Sequence, residues 1–230
     1  MDWGTRESTG SSWRESQPQA YGKAPGGKTA TKFYVERDGW LAGVRWRKDL
    51  QGGFNDLTVV HGRSLLEGIS LYGNSAYEQP APGAAQRWRF VDSLVLQPTS
   101  KFGLFAGAAL ELWDPKSPGA QGRWFTVGAR PVFFFSSHYQ LAFEAGHSVV
   151  LDRSEKNTDG SNVGARTLTR FTLAPQLSVG PGLWARPLLR AYYTRSFWNG
   201  ANRIRVAADA PSFAGSLSSQ AIGFQAEVWF

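Results

Sequence analysis

The sequence predicts an all-β protein, a transmembrane antiparallel up-and-down β-barrel, on three observations. Apolar residues recur at every second position in segment after segment from residue 31 to the end. The links between these segments alternate between short and long. Aromatic residues make up 14% of the chain and gather towards segment ends. Successive side chains of a strand point to opposite faces, so a period of two gives each strand one apolar face and one mixed face.

Residues 1–30 are rich in Gly, Ser, Gln and charge and show no period, so they read as a polar lead-in, loop or disordered. A weak strand candidate lies at 31–36, and 40–48, 54–62, 86–97 and 102–112 alternate more loosely. The pattern then sharpens. In 123–135 Phe125, Val127, Ala129, Pro131, Phe133 and Phe135 share one face, and Trp124, Thr126, Gly128 and Arg130 share the other. Segments 139–149, 167–177 and 183–195 repeat the arrangement, and the chain ends on Ile222, Phe224, Ala226, Val228 and Phe230 against Gly223, Gln225, Glu227 and Trp229. That makes about ten strands, several long enough for a tilted crossing of a bilayer.

Short links fall at 50–53, 98–101, 136–137 and 179–182. Long polar ones fall between them, at 63–85, 113–121, 151–165 and 198–218. A barrel with short periplasmic turns and long external loops has this form. A soluble β-sandwich is the alternative, but it would have to hide Phe133, Phe134, Phe135 and a terminal Phe.

Cysteine is absent, which excludes disulfides and Cys-bearing metal sites. The mean hydropathy is −0.32, and no apolar run has the length of a spanning helix. The formal net charge is +7, which points towards anionic solutes, lipid or nucleic acid. The first residues, MDWGTRESTGSSWRES, hold no apolar signal-peptide core. GKAPGGKT at 22–29 matches the phosphate-cradling pattern, but lacks the apolar strand before it and the helix after it that the pattern requires. His61, His138 and His147 have no ligand spacing; they read as interfacial, with His147 near a strand end.

In a membrane barrel the apolar face meets lipid and the mixed face meets the lumen. Three aromatics then fall on the lumen phase at a similar height near the periplasmic mouth. Phe54 and Trp184 each start a strand just after a short turn, and Trp229 ends one. Aromatic faces stack on the apolar faces of sugar rings, while nearby charged groups hydrogen-bond the hydroxyls. Ordinary girdle or plug aromatics would look the same by phase. Arg45, Arg47, Arg89, Arg130, Arg170, Arg186 and Arg190 share the lumen phase with Glu111, Glu144 and Glu227. Paired carboxylates are also what a glycosidase uses, but in a pore such groups tune passage.

Several segments resemble the maltoporin family of carbohydrate porins: DGWLAGVRW (38–46), GGFNDLTVV (52–60), RWFTVGARPVFFF (123–135), LAPQLSV (173–179), GLWARPLLRAYYTRSFW (182–198) and GFQAEVWF (223–230). The resemblance runs over 31–230 and is most specific in the last hundred residues. It implies a trimeric eighteen-stranded barrel in the outer membrane of a Gram-negative bacterium. It also implies facilitated diffusion of maltose- or maltodextrin-like sugars along an aromatic slide, onto which Phe54, Trp184 and Trp229 fall. Arg130, Arg186, Arg190, Glu144 and Glu227 would be the polar lumen groups. No cofactor, metal, nucleic acid or enzymatic step is expected. Lipid, the sugar and further copies of the chain are the expected partners. The match starts about halfway along the family's length, so the chain is expected to be the C-terminal part of a barrel, the signal peptide lying with the other half. Two other readings remain: a general anion-selective porin, on the surplus of lumen arginines, and a non-transporting barrel fragment or surface receptor using loops 63–85 and 198–218.

Overall fold

The computed structural model describes residues 22–24, 27–36, 39–64, 85–114, 120–157 and 159–228, with side chains over 42–63 and the later segments. Eleven strands follow one another: β1 (Gly22–Ala24), β2 (Gly27–Glu36), β3 (Gly39–Leu50), β4 (Gly53–Ser64), β5 (Gln86–Thr99), β6 (Phe102–Asp114), β7 (Gly122–Phe134), β8 (Tyr139–Asp152), β9 (Arg166–Ser178), β10 (Leu188–Trp198) and β11 (Ser218–Glu227). They form a single sheet in chain order, and each pairs antiparallel with the next. The up-and-down expectation is met. The sheet is not closed: among the described residues β1 and β11 are its two edges.

Strands begin earlier than the alternation indicates, since β1 and the first residues of β2, 27–30, fall inside the segment read as lead-in. The phosphate-pattern residues Lys28 and Thr29 lie within β2, so no helix N-terminus follows them. A helix terminus is what supplies the amides of a phosphate cradle.

The burial pattern is inverted relative to a soluble sheet. On one face the large apolar residues are exposed, among them Val127, Phe143, Phe171, Leu173 and Leu189, with Ile222 at 78% and Phe224 at 84%. On the other face Glu111 is 4% and Arg89 7% exposed, and Asp56 and Gln176 are buried too. Among the described residues only the 179–187 segment folds across that polar face, and the sheet curls around it. The curled, polar face is the inner one. Exposing so much apolar side chain is costly in water but not in hydrocarbon. Ladder bonds satisfy the backbone groups of the central strands, as a bilayer core demands.

Turns at one end are tight. Gln51 and Gly52 join β3 to β4, with Gly52 at φ 75°, a conformation that favours glycine. Ser100 and Lys101 join β5 to β6. At the same end 179–187 joins β9 to β10, and this segment departs from the expectation. The alternation of 183–195 suggests a strand from 183; the strand starts at Leu188 instead. Pro181, Gly182 and Pro187 account for the delay, because proline donates no ladder hydrogen bond and glycine weakens a strand. The other end carries the long connections. One contains α1 (Arg203–Asp209) flanked by two short 3-10 turns. Asn199 fastens it to the start of β9, donating to the Ala165 carbonyl at 2.7 Å.

Candidate functional site

The tight-turn end of the inner face holds a small apolar cluster. Val95, Val132, Phe134, Ala142, Ala174 and Leu183 are buried there, with Phe54, Phe105 and Tyr192 packed against them. The first five come from β5, β7, β8 and β9. Leu183 arrives from the 179–187 segment, which folds inward across the face. Gln97 on β5 fixes it from both sides. Its Nε2 donates to the Pro181 carbonyl at 3.0 Å, and its Oε1 accepts the Leu183 N–H at 3.0 Å. The Leu183 side chain fills the space over Gly103, where a Cβ would lie 2.5 Å from Leu183 Cδ2.

This inward fold places Trp184. Its ring meets the edge of Phe105 at 5.6 Å between centroids, with planes at 88°, and it remains 59% exposed. Phe105 and Phe54 lie in one register row with Val95 between them. Phe54 and Trp184 therefore both lie at the tight-turn end of the inner face. Trp184 reaches it from a turn, where the alternation suggests a strand start. Trp229 lies outside the described residues. Phe105 completes the group. It shares its parity with Glu111 along β6, and that is the signal which could have found it.

The charged residues of the inner face are organised in clusters of one form. Two arginines close together in sequence share a single carboxylate of the neighbouring strand. Arg45 binds Asp56 through two nitrogens, at 2.6 and 3.2 Å, with Arg47 at 3.7 Å. Arg87 and Arg89 bind the two oxygens of Glu111 at 2.5 and 2.9 Å. Arg186 binds Glu227 at 2.5 Å and Arg190 takes its other oxygen. Arg130 and Glu144 instead pair one to one, at 2.5 Å. Each guanidinium has five donors and no acceptor, so the Arg87–Arg89 and Arg186–Arg190 clusters each keep one net positive charge and a surplus of N–H groups, whereas Arg47 also approaches Asp49 at 3.7 Å. Arg47 also lies over the Phe54 ring, 3.6 Å from its centroid, a favourable cation–π distance.

The same clusters revise the argument from arginine surplus. The lumen arginines taken together look like a strongly basic lining, but most are held by carboxylates. Among the described inner-face arginines, Arg170 alone has no carboxylate partner.

Outside the strands, Glu155 accepts from Arg166 at 3.1 Å and Arg205 at 2.5 Å, tying two long connections together. The hydrogen bond to Glu155 pushes the Arg205 guanidinium further above its ordinary value. His61 stacks on Trp88 with centroids 4.1 Å apart, on the outer face. His138 lies in the turn between β7 and β8. His147 sits well inside β8, not near its end, with Nδ1 2.8 Å from Thr169 Oγ1. Among the described residues no group of His, Asp and Glu has the arrangement of a metal site.

A sheet with lipid-compatible outer residues, a hydrogen-bonding inner lining and aromatics at one mouth defines the wall of an outer-membrane porin. The model of the LamB porin family matches residues 12–230. The chain belongs to that family, a family of outer-membrane channels of the maltoporin-like, carbohydrate-porin kind, which places it in the outer membrane of Gram-negative bacteria. The match reaches nineteen residues upstream of the resemblance read from the sequence, which begins at 31.

Proposed function

We propose that this chain lines a pathway for facilitated diffusion of maltose- or maltodextrin-like sugars, with Phe54, Trp184 and Trp229 as the aromatic slide and Phe105 as the residue that supports it. The observation carrying this reading is the convergence of Phe54, Phe105 and Trp184 at one mouth, beside arginine clusters with donors to spare. Sugar rings stack on the aromatic faces. Arg186 and Arg190 around Glu227, and Arg130 with Glu144, exchange hydrogen bonds with hydroxyls. Each contact is weak and the contacts are many, so the solute both enters and leaves. The working porin is a homotrimer of closed barrels, of which this chain forms the C-terminal part.

The test is block of ion current by maltodextrins in planar bilayers. Trp184→Ala and Trp229→Ala are each expected to weaken block by about tenfold, the value of one ring-stacking contact. Unchanged affinity in both variants would remove the slide assignment. Loss of binding partners on trimming 198–218, with current and block intact, would favour the receptor reading.

A further inference from the structure

Three glycines meet in one register row at the centre of the inner face. Gly107 pairs with Gly128, Gly128 with Gly146, and Gly146 with Arg170. A cavity of about 380 Å³ opens over them. Its rim carries the Arg130–Glu144 pair towards the tight-turn end, where Phe105 also borders it. The Thr126 and Ser148 hydroxyls, 2.7 Å apart, close the other side. Arg170 stands at the end of the row.

The cavity exists because these positions lack side chains, and at Gly146 the backbone does not demand that lack. None of the three glycines is among the positive-φ residues. A Cβ on Gly146 would meet nothing nearer than 3.8 Å; on Gly128 and Gly107 it would approach a neighbouring carbonyl at 3.2 and 3.1 Å. Glycine weakens a strand interior, so room is what Gly146 supplies in return. Into that room faces Arg170, which among the described inner-face arginines has no carboxylate partner. Arg130 is neutralised by Glu144 beside it; Arg170 has no such partner. A planar guanidinium takes a carboxylate or phosphate through two parallel hydrogen bonds.

We propose that this cavity is a station for the anionic group of a solute, the carboxylate or phosphate of an acidic sugar, bound by Arg170 with help from the Thr126 and Ser148 hydroxyls. Phe105 is two residues from Gly107 along β6, about 7 Å. A ring stacked at Phe105 and Trp184 therefore sets an exocyclic anionic substituent over the glycines. The proposal rests on the sugar reading above and extends it to charged sugars.

Maltose, maltose 6′-phosphate and inorganic phosphate are compared as blockers of current through the porin in planar bilayers. The wild type is expected to bind the phosphorylated sugar about tenfold more tightly than maltose, as a charge-assisted hydrogen-bond pair allows. Arg170→Gln, and separately Gly146→Val to fill the cavity, should bring that ratio close to one while block by maltose stays unchanged. A tenfold preference that survives Arg170→Gln overturns the proposal. If neither sugar blocks but inorganic phosphate does so through Arg170, the sugar reading falls and the anion station stands. Absence of all three effects defeats both.

Discussion

The flanks and the centre of the inner face solve the same problem differently. On the flanks, β3–β6 and β10–β11, two arginines crowd around each carboxylate and the guanidinium groups fill the wall. At the centre, β7 and β8 supply one arginine, one glutamate and two glycines, and the wall is hollow. The flanking Glu111 is far more enclosed than Glu144, with side chains 6% and 36% exposed. Enclosure decides what each carboxylate contributes. A buried carboxylate between two cations is structural, because its loss strands two charges away from water. A half-exposed pair is screened and contributes little to stability. Fold stability thus sits on the flanks, and freedom to vary in response to a solute sits at the centre.

The sharpest way to break this comparison is Glu111→Gln. It leaves Arg87 and Arg89 without their shared counter-charge in a buried setting. The expected loss is about 3–5 kcal/mol, read as a large drop in the urea midpoint of the porin in lipid vesicles. A drop no larger than that of an exposed pair would show that water reaches the cluster and that flank and centre do not differ.

The next effect concerns the inward-folded segment. Gly103→Val puts a side chain where Leu183 lies, 2.5 Å from its Cδ2. Overpacking of this kind costs about 1–3 kcal/mol. It should also displace Trp184 and weaken maltodextrin block several-fold. Gln97→Ala removes both hydrogen bonds to the segment, at about 1 kcal/mol each for typical bonds, and acts in the same direction without the clash. If either variant alters stability but leaves block untouched, Trp184 does not depend on the Gln97 clamp for its position.

Much of the wall was legible in the sequence. The phase of Thr126, Gly128 and Arg130 on β7, and of Gln140, Ala142 and Glu144 on β8, follows directly from alternation, because a sheet with one wet and one lipid-compatible face cannot change register without exposing every residue wrongly. The site was less legible. Period two runs through Ala185, Pro187 and Leu189 as though one strand began at 183, yet Pro187 cannot join the ladder and the strand waits for Leu188. The inward fold of 179–187 depends on Gln97, more than eighty residues away, and no local pattern encodes such a contact. The pairing of arginines was hidden for a related reason. Parity places Arg87 and Arg89 on one face, but only the β5–β6 register sets Arg89 opposite Glu111 and Arg87 two residues along, within its reach.

The smallest expected effect on stability sharpens the comparison from the other side. Glu144→Gln removes the partner of Arg130 at the edge of the cavity. Both side chains are more than a third exposed, at 39% and 36%, so water and salt take over much of what the glutamate supplied. The expected change in unfolding free energy is below about 1 kcal/mol, within a small shift of the urea midpoint. The electrostatic change is not small. The cavity would hold two uncompensated guanidinium groups, Arg130 and Arg170, facing a common space. Reversal potentials in a salt gradient should therefore move towards anion selectivity, more at low ionic strength than at high, because the Debye length shortens as salt rises. A variant that unfolds as readily as Glu111→Gln would make the centre structural like the flanks. A variant with unchanged selectivity would mean that the charge over the glycine row is not felt by permeating ions.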